Sequence, residues 1–274
     1  ASSVSILNTV ISQCTRGINM IQEIEALSSS MHVQVLTNAL RLCIGIAKIR
    51  NGSSLMNIKS CFTSIVDDDV NGKSIVTENK MEENEKDRTL LNTNKQIQRY
   101  ATLGLIECAA YGTLKSDYDH GRQLCKEIDI KNFIVVGLGG MIDSKECIGL
   151  ISNVSRSSSD DDVVFAAKEI KELKRAIVLL SKALDMIDNE KIQKTLCTTH
   201  WEAIFHIELG NAMWKLKSKD GTTTDVDDDN DYRKNKKYCY NHWMKAIRLR
   251  PSWGVTLCYL GKYFIYNNTS TNDK

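Results

Sequence analysis

Apolar residues recur at helical spacing along this chain, and polar inserts divide them into blocks. In the first block, residues 1–66, the pattern predicts helices around Ile6 to Ile24 and around Val33 to Ile49, with Gly45 expected to interrupt the second. Residues 67–94 are rich in Asp, Glu, Asn and Lys, which predicts a disordered insert or a weak polar helix. Strand-like alternation is almost absent, so the pattern predicts an all-α chain.

The rest of the chain divides in the same way. Residues 95–154 form a second helical block, expected to hold about three helices. Residues 155–162 are serines and aspartates with one arginine, which predicts a solvated linker. A third helical block covers residues 163–266, with an inserted loop at 217–231, and a polar tail follows at 267–274. Surface loops between helices tolerate insertions at little entropic cost, so we expect the helices to set the fold.

A register of small, aromatic and proline positions stands near the C-terminal end. Ala246 lies five residues before Pro251, Trp243 three residues before Ala246, and Cys239 four residues earlier again. This order is typical of the second helix of a tetratricopeptide repeat, a helix hairpin of about 34 residues. The same spacing recurs upstream at Ala176, Leu180 and Ala183.

Leu-Gly pairs mark the first helices of two such units. Leu209 and Gly210 begin one unit, and Leu260 and Gly261 fall where the repeat period places the next, with Phe264 three residues after Gly261. Small residues let two helices approach to the close end of about 8–10 Å, and the aromatic residues fill the space between them. The register predicts a tetratricopeptide-repeat α-solenoid of antiparallel helix pairs; the alternative is a plain helical bundle with chance matches.

Composition narrows the class of protein further. In a repeat protein, the 274 residues set the number of units rather than the number of cores. The formal charge of +2 excludes a strongly basic nucleic-acid domain, and no apolar run approaches the roughly 20 residues that span a bilayer. The nine cysteines lie mostly in apolar helical stretches, which predicts reduced core residues and a cytoplasmic or nuclear location. The first residue is Ala1, which suggests a fragment or a processed chain.

Two short motifs resemble nucleotide-binding loops but lack required residues. Residues 72–74 read Gly-Lys-Ser, yet Asp67 stands where a phosphate loop needs its first glycine, and its charge would repel phosphate. Residues 133–136 could form a strand leading into the glycines at 137–140, but Ile142 occupies the third glycine position of a dinucleotide fingerprint. We therefore expect no cofactor, and the glycines favour close helix packing or a flexible turn.

Metal and catalytic motifs are equally incomplete. Aspartates alternate over residues 225–229 as in a calcium loop, but Lys236 stands where a bidentate glutamate is required. Cys-x-x-His pairs begin at Cys197 and at Cys239, and two such pairs would supply the ligands of a zinc site. The repeat register accounts for Cys239 without a metal. The five histidines are scattered, and none belongs to a nucleophile motif, so we expect neither a metal nor an enzyme.

A basic stretch beside tyrosines offers a partner or RNA surface. It includes Lys215, Arg233, Lys234, Lys236 and Lys237. A solvated face is the simpler interpretation, and the aspartates between 225 and 231 offset much of the charge. We therefore expect any contact with RNA to be weak.

Residues 200–266 also show a longer order of motifs. An aromatic-rich helix with Trp201, Phe205 and Trp214 precedes a charged spacer, then a His-x-x-Lys-Ala helix at 242–246 and a Tyr-Leu-Gly-x-Tyr segment at 259–263. This order resembles the repeat region of the large tetratricopeptide scaffold subunit of the superkiller complex.

The resemblance implies a non-catalytic cytoplasmic scaffold. Such a scaffold would hold an RNA helicase and beta-propeller subunits together and help deliver messenger RNA to the exosome for decay. Two alternatives remain open from the residues alone. One is a generic tetratricopeptide adaptor that binds peptides, such as a chaperone or transport cofactor, and the other is an RNA-binding helical-repeat protein.

Overall fold

The structure is a computed structural model that describes most of the chain. It covers residues 3–23, 31–72, 85–128, 132–149, 161–189 and 195–220, and then 229–251 together with residues 254, 257, 258, 261 and 264. Within these ranges the chain forms helices joined by turns, and no strand is present. The predicted all-α class is confirmed.

Nine helices lie in the described ranges. They are α1 Ser3–Glu23, α2 Met31–Asn51, α3 Leu55–Gly72, α4 Glu85–Ala110, α5 Lys115–Glu127, α6 Phe133–Gly149, α7 Asp161–Asn189, α8 Leu196–Asp220 and α9 Asp229–Leu249. None of them is long and apolar enough to cross a membrane.

The chain divides into two compact units, and the division falls inside α5. The first unit consists of residues 1–112 and 123–130, and the second of residues 113–122 and 131–274. In the first unit α1 packs on α2, α2 on α3, and α4 on both α2 and α3. In the second unit α6, α7, α8 and α9 pack in chain order, and α8 also touches α6. Apart from the contacts of α2 with α4 and of α6 with α8, these packed helices are neighbours in sequence.

A glycine makes the turn between α2 and α3. Gly52 has a φ of 71°, a left-handed conformation that glycine adopts without steric cost. Its N–H donates to the carbonyl of Ile49, and the N–H of Ser53 donates to the carbonyl of Lys48 at 3.0 Å. This pair of bonds is the Schellman motif, which satisfies the last carbonyls of α2 and reverses the chain into α3.

The core of the first unit forms around the ring of Phe62 on α3. Phe62 is fully buried, and its ring lies against Gly45 of α2 and Gly104 of α4. A Cβ at either glycine would lie 2.5 Å from a ring carbon. The predicted interruption of α2 at Gly45 is therefore wrong: the helix continues through Gly45, because the absent side chain makes room for the Phe62 ring.

The second unit has a glycine–ring contact of its own, meaning a helical glycine with an aromatic ring of another helix packed against it. The fully buried ring of Phe205 on α8 packs on Gly137 of α6. A Cβ at Gly140 would lie 2.8 Å from Leu180 Cγ on α7. Residues 133–136 belong to helix α6 and not to a strand, so these glycines serve helix packing.

Helix α8 is the most enclosed helix of the second unit. Every residue from Trp201 to Ile207 is buried, and Leu209 to Ala212 are buried as well. Because α8 contacts α6, α7 and α9, apolar residues are needed on all its sides. Helix α1 is the opposite case, since it has no buried residue among those described.

The helices extend into the predicted inserts. Helix α3 continues to Gly72 and α4 begins at Glu85, so helix covers both ends of the insert predicted at 67–94. Helix α8 continues to Asp220 and α9 begins at Asp229, so helix also covers both ends of the loop predicted at 217–231. Lysine and glutamate are good helix formers, and acidic sequence is favourable at a helix start. Residues 73–84, 150–160, 221–228 and 265–274 lie outside the described residues.

Candidate functional site

The packing of α8 on α9 brings together four of the predicted repeat positions, Gly210, Cys239, Trp243 and Ala246. Ala203 and Ile207 of α8 form a buried cluster with Ala246 of α9, while Gly210, further along α8, meets Cys239 and Trp243, which lie earlier in α9. The two helices therefore run antiparallel. Leu209, Cys239, Trp243 and Ala246 are each at most 2% exposed.

The indole of Trp243 lies against the α8 backbone at Gly210. A Cβ at Gly210 would lie 2.5 Å from Trp243 Nε1 and 3.2 Å from the carbonyl oxygen of Cys239. The Trp243 N–H donates to Asn211 Oδ1 at 3.2 Å, and both side chains are buried. Trp214 lies beside the indole, with ring centroids 5.9 Å apart. The indole thus fills the space over the glycine while its one polar group has a partner.

Two histidines meet inside this helix pair. His206 Nδ1 of α8 and His242 Nδ1 of α9 are 3.0 Å apart. Burial, together with the charges of His242 and Lys245, lowers the pKa of His206 to about 3. Burial and the charge of Lys245 lower the pKa of His242 to about 4. At neutral pH both rings are uncharged, so one ring donates an N–H to the bare nitrogen of the other.

The two predicted Cys-x-x-His pairs are used differently. His242 pairs with His206, while Cys239 is buried against Gly210. His200 accepts a hydrogen bond at Nδ1 from the Arg250 guanidinium, and Cys197 is exposed. In the part of the chain that the structure describes, no group of three or more His, Cys, Asp or Glu residues could hold a metal ion.

The end of α9 is set by the proline. The N–H of Arg250 donates to the carbonyl of Ala246 at 2.9 Å, and α9 ends at Leu249. Pro251 follows in an exposed turn. Since proline lacks an N–H and disfavours helix at the residue before it, the helix cannot continue through this position.

The predicted positions beyond Pro251 do not make the expected close contacts. Gly261 is exposed, and a Cβ there would meet no atom within 4 Å. Phe264 is half exposed, and its ring meets Tyr240 of α9 edge to face at 6.4 Å between centroids. Leu260 lies outside the described residues. No described residue packs on Gly261, so the close helix approach expected there stays a prediction.

The upstream copy of the register lies in the core of the second unit. Ala176, Leu180 and Ala183 are fully buried on α7. Leu180, the middle residue of these three, packs on Gly140 of α6. Trp243, at the corresponding position of α9, packs on Gly210 in the same way. The shared spacing thus marks the buried face of both helices.

The basic stretch is only partly described. Lys215 is half-buried near the end of α8. The other four predicted positions, at 233, 234, 236 and 237, belong to the first half of helix α9, and their side chains lie outside the described residues. Of the other motifs, Gly72 is the last residue of α3, and residues 73–74 and 225–228 lie outside the described ranges.

A charged cluster inside the second unit was not predicted. Arg122 of α5 donates to Asp143 Oδ1 of α6 at 2.8 Å and also contacts Glu146, and Arg175 of α7 lies 3.1 Å from Asp143 Oδ2. Burial raises the pKa of Asp143, and the two arginines oppose this rise. The signal in sequence was a carboxylate pair three residues apart in the mostly apolar helix α6, but nothing in that helix identified Arg122 as the partner.

The arrangement of α8 and α9 is therefore a packed junction between helices. The paired histidines and the indole of Trp243 are buried and hydrogen-bonded within this junction. They are therefore placed to hold the two helices in register rather than to reach a substrate. Comparison with known proteins adds no family: no family model, curated protein or solved structure matches this chain.

Proposed function

We propose that this chain is a non-catalytic helical-repeat scaffold of the tetratricopeptide type, which assembles other proteins. The observation that carries the proposal is the burial of Cys239, Trp243 and Ala246 against the face of α8 that holds Ala203, Ile207 and Gly210. Spacing alone would have allowed these residues to lie on any face of a bundle. Their common contact is what a repeat hairpin requires.

The order of packing also supports stacked hairpins. In stacked repeats each unit touches its neighbours, and the first helix of one hairpin touches the first helix of the next. Helices α6 and α7 form one pair, α8 and α9 the next, and α6 also touches α8. The first unit repeats this relation, since α2 touches both α3 and α4. Such proteins present extended surfaces to partners, and this supports a role in assembly.

A role in a superkiller-type complex is the specific form of this proposal. It is supported by the order of motifs across residues 200–266 in the sequence. In this role the chain would hold an RNA helicase and beta-propeller subunits and act with the exosome in cytoplasmic messenger RNA decay. The broader form of the proposal is a tetratricopeptide adaptor that binds peptides of other partner proteins. The helix packing is the only observation on which this broader form depends.

Affinity capture from a lysate of the source cells tests the specific form. The tagged chain should recover an RNA helicase together with a beta-propeller protein, and recovery should survive nuclease treatment because protein contacts hold the complex. An Arg16→Glu variant changes one exposed charge on α1. It serves as a control for a nonspecific effect of surface charge on recovery. Recovery of chaperones alone would favour the adaptor and count against the superkiller role.

Direct RNA binding is the competing outcome. We expect at most weak binding of the isolated chain to single-stranded RNA at physiological salt, since nearby aspartates offset the basic stretch. The comparison variant changes Arg233, Lys234, Lys236 and Lys237 to glutamate. Tight, salt-sensitive binding that this variant abolishes would replace the scaffold proposal with an RNA-binding one.

A further inference from the structure

Helices α1 and α2 each carry a cysteine in the region where they pack on one another. Cys14 is half-buried on α1, Cys43 is exposed on α2, and both are free thiols in the structure. Half-buried residues recur along α1 at helical spacing, at Leu7, Ile11, Cys14 and Ile18, and α2 is the helix on which α1 packs. Cys14 therefore lies in the middle of the α1 face that α2 covers.

Two contacts show how these helices run past each other. Asn51 Nδ2, at the end of α2, donates to Asn8 Oδ1, near the start of α1, at 2.8 Å. Further along α1, a Cβ at Gly17 would lie 3.2 Å from Leu40 Cδ1, in the middle of α2. The contact positions advance along α1 as they move back along α2, so the two helices are antiparallel.

The cysteines occupy matching positions in this antiparallel pair. Cys14 comes three residues before Gly17, and Cys43 comes three residues after Leu40, so both lie about one turn from the same close contact. Burial raises the pKa of the Cys14 thiol, and so does the charge of the Cys43 thiolate. Such a charge acts strongly only over a short distance. The register and the electrostatics therefore agree that the two thiols are neighbours.

Helix α1 is the element that a bond between these thiols would secure. None of its described residues is buried, whereas α2, α3 and α4 meet around the fully buried ring of Phe62. Elements with few buried apolar contacts open at a lower free energy than the core of the same protein. Among the helices of the first unit, α1 is therefore expected to separate most readily.

We propose that Cys14 and Cys43 form a reversible disulfide that clamps α1 onto α2 when the chain meets a hydroperoxide. The thiolate of the exposed Cys43 attacks the O–O bond of hydrogen peroxide, which leaves a sulfenic acid on Cys43 and releases one water. The Cys14 thiolate then attacks the Cys43 sulfur, and the S–S bond forms as the sulfenic oxygen leaves as a second water. Two thiols and one peroxide thus give one disulfide and two waters, and exchange with a small thiol reverses the oxidation.

The geometry of the helix pair suits such a bond. A disulfide joins Cα atoms about 4.4–6.8 Å apart, and the missing side chain of Gly17 lets α1 approach α2 one turn from the thiols. The bond would close a loop from residue 14 to residue 43, which limits the open states of α1. The redox state of the surroundings would then set how firmly α1 is held, whichever partners the scaffold binds.

Peptide mass spectrometry of the full chain tests the bond. The reduced protein is treated with hydrogen peroxide, blocked with iodoacetamide and digested with trypsin, which places Cys14 in residues 1–16 and Cys43 in residues 42–48. We expect these two peptides to be linked, and dithiothreitol to separate them. Cys14→Ser and Cys43→Ser should each abolish the link. Cys61→Ser, which removes a thiol of α3, is the matched control and should leave it unchanged.

The order of the two steps has a test of its own. In Cys14→Ser no second thiol attacks the sulfenic acid, so dimedone should capture Cys43 at least about threefold more than in the unaltered chain. Equal or faster capture of Cys14 in Cys43→Ser would overturn the role assigned to Cys43.

Hydrogen exchange of the α1 amides tests the clamp. Exchange over residues 11–21 should slow by at least about tenfold on oxidation, recover on reduction, and stay unchanged in Cys14→Ser. Exchange in α8, which belongs to the second unit, is the internal reference and should not change. Thiols that are oxidised or blocked singly with no linked peptide, or a linked peptide without slower exchange in α1, would overturn the proposal.

Discussion

Replacing Gly210 with alanine should destabilise the α8–α9 pair. The new Cβ would lie 2.5 Å from Trp243 Nε1 and 2.8 Å from Trp243 Cδ1. Non-bonded carbon atoms prefer separations of about 3.5–4.0 Å, so the indole would have to move back by about 1 Å. The carbonyl oxygen of Cys239, 3.2 Å from the added carbon, belongs to helix backbone and has little room to move.

Three effects set the magnitude of the loss. Overpacking costs about 1–3 kcal/mol, and movement of the indole away from Asn211 would leave a buried N–H unpaired at a further cost of about 1–3 kcal/mol. Alanine is the better helix former by about 0.8–1.0 kcal/mol, which offsets part of the cost. The middle of each range gives a net destabilisation of about 3 kcal/mol for Gly210→Ala.

Urea unfolding followed by far-ultraviolet circular dichroism and tryptophan fluorescence measures this loss. Gly139→Ala on α6 is the matched control, since its nearest contact would be Leu179 Cδ1 at 3.9 Å, and it should stabilise the protein by up to about 1 kcal/mol. In a Trp243→Phe background the cost of Gly210→Ala should shrink, because Nε1, the atom nearest the new Cβ, is gone. A Gly210→Ala protein as stable as the Gly139→Ala protein would refute the reasoning.

Three further predictions concern charge and packing in the second unit. The folded pKa values of His206 and His242, about 3 and about 4, lie below the unfolded value near 6.5. Their contribution to stability is therefore complete above pH 6.5 and is lost as pH falls through 4 and then 3. Urea midpoints across this window should fall, and less steeply in His206→Phe. Ala246→Arg, at a fully buried position, should cost about 3 kcal/mol or more and lower the melting temperature in circular dichroism. Arg122→Met leaves the buried Asp143 without its closest cation and should lower the free energy of unfolding by about 3 kcal/mol at pH 7. The loss should be smaller at pH 4, where the carboxylate takes up a proton. Equal losses of stability at both pH values would contradict the ionic origin.

Sequence reasoning identified the parts of this fold that depend on spacing within one helix. The all-α class and the buried faces of α7 and α9 follow from apolar residues three and four positions apart, as at Ala176, Leu180 and Ala183. The start of α9 was placed too late, since helix begins at Asp229, inside the predicted loop. Polar sequence alone does not separate a solvated helix end from a loop.

Contacts between distant parts of the chain could not be predicted. Gly45 reads as a helix breaker in sequence, and only the arrival of Phe62 from α3 explains why a helix keeps a glycine there. His206 and His242 are 36 residues apart, and their meeting depends on how α8 and α9 turn toward each other. The charged cluster at Arg122 joins three helices, so no local pattern reveals it.

The enclosure of α8 has a consequence for the order in which a ribosome would deliver this fold. Helices α6 and α7 leave the ribosome before α8, and Gly137 then faces water until Phe205 arrives with α8. When α8 emerges it carries apolar residues on all sides, and the side that α9 covers stays uncovered until Trp243 and Ala246 have been translated. The interval between the completion of α8 and the completion of α9 is therefore the stage of synthesis at which this chain is most exposed to aggregation and most dependent on chaperones.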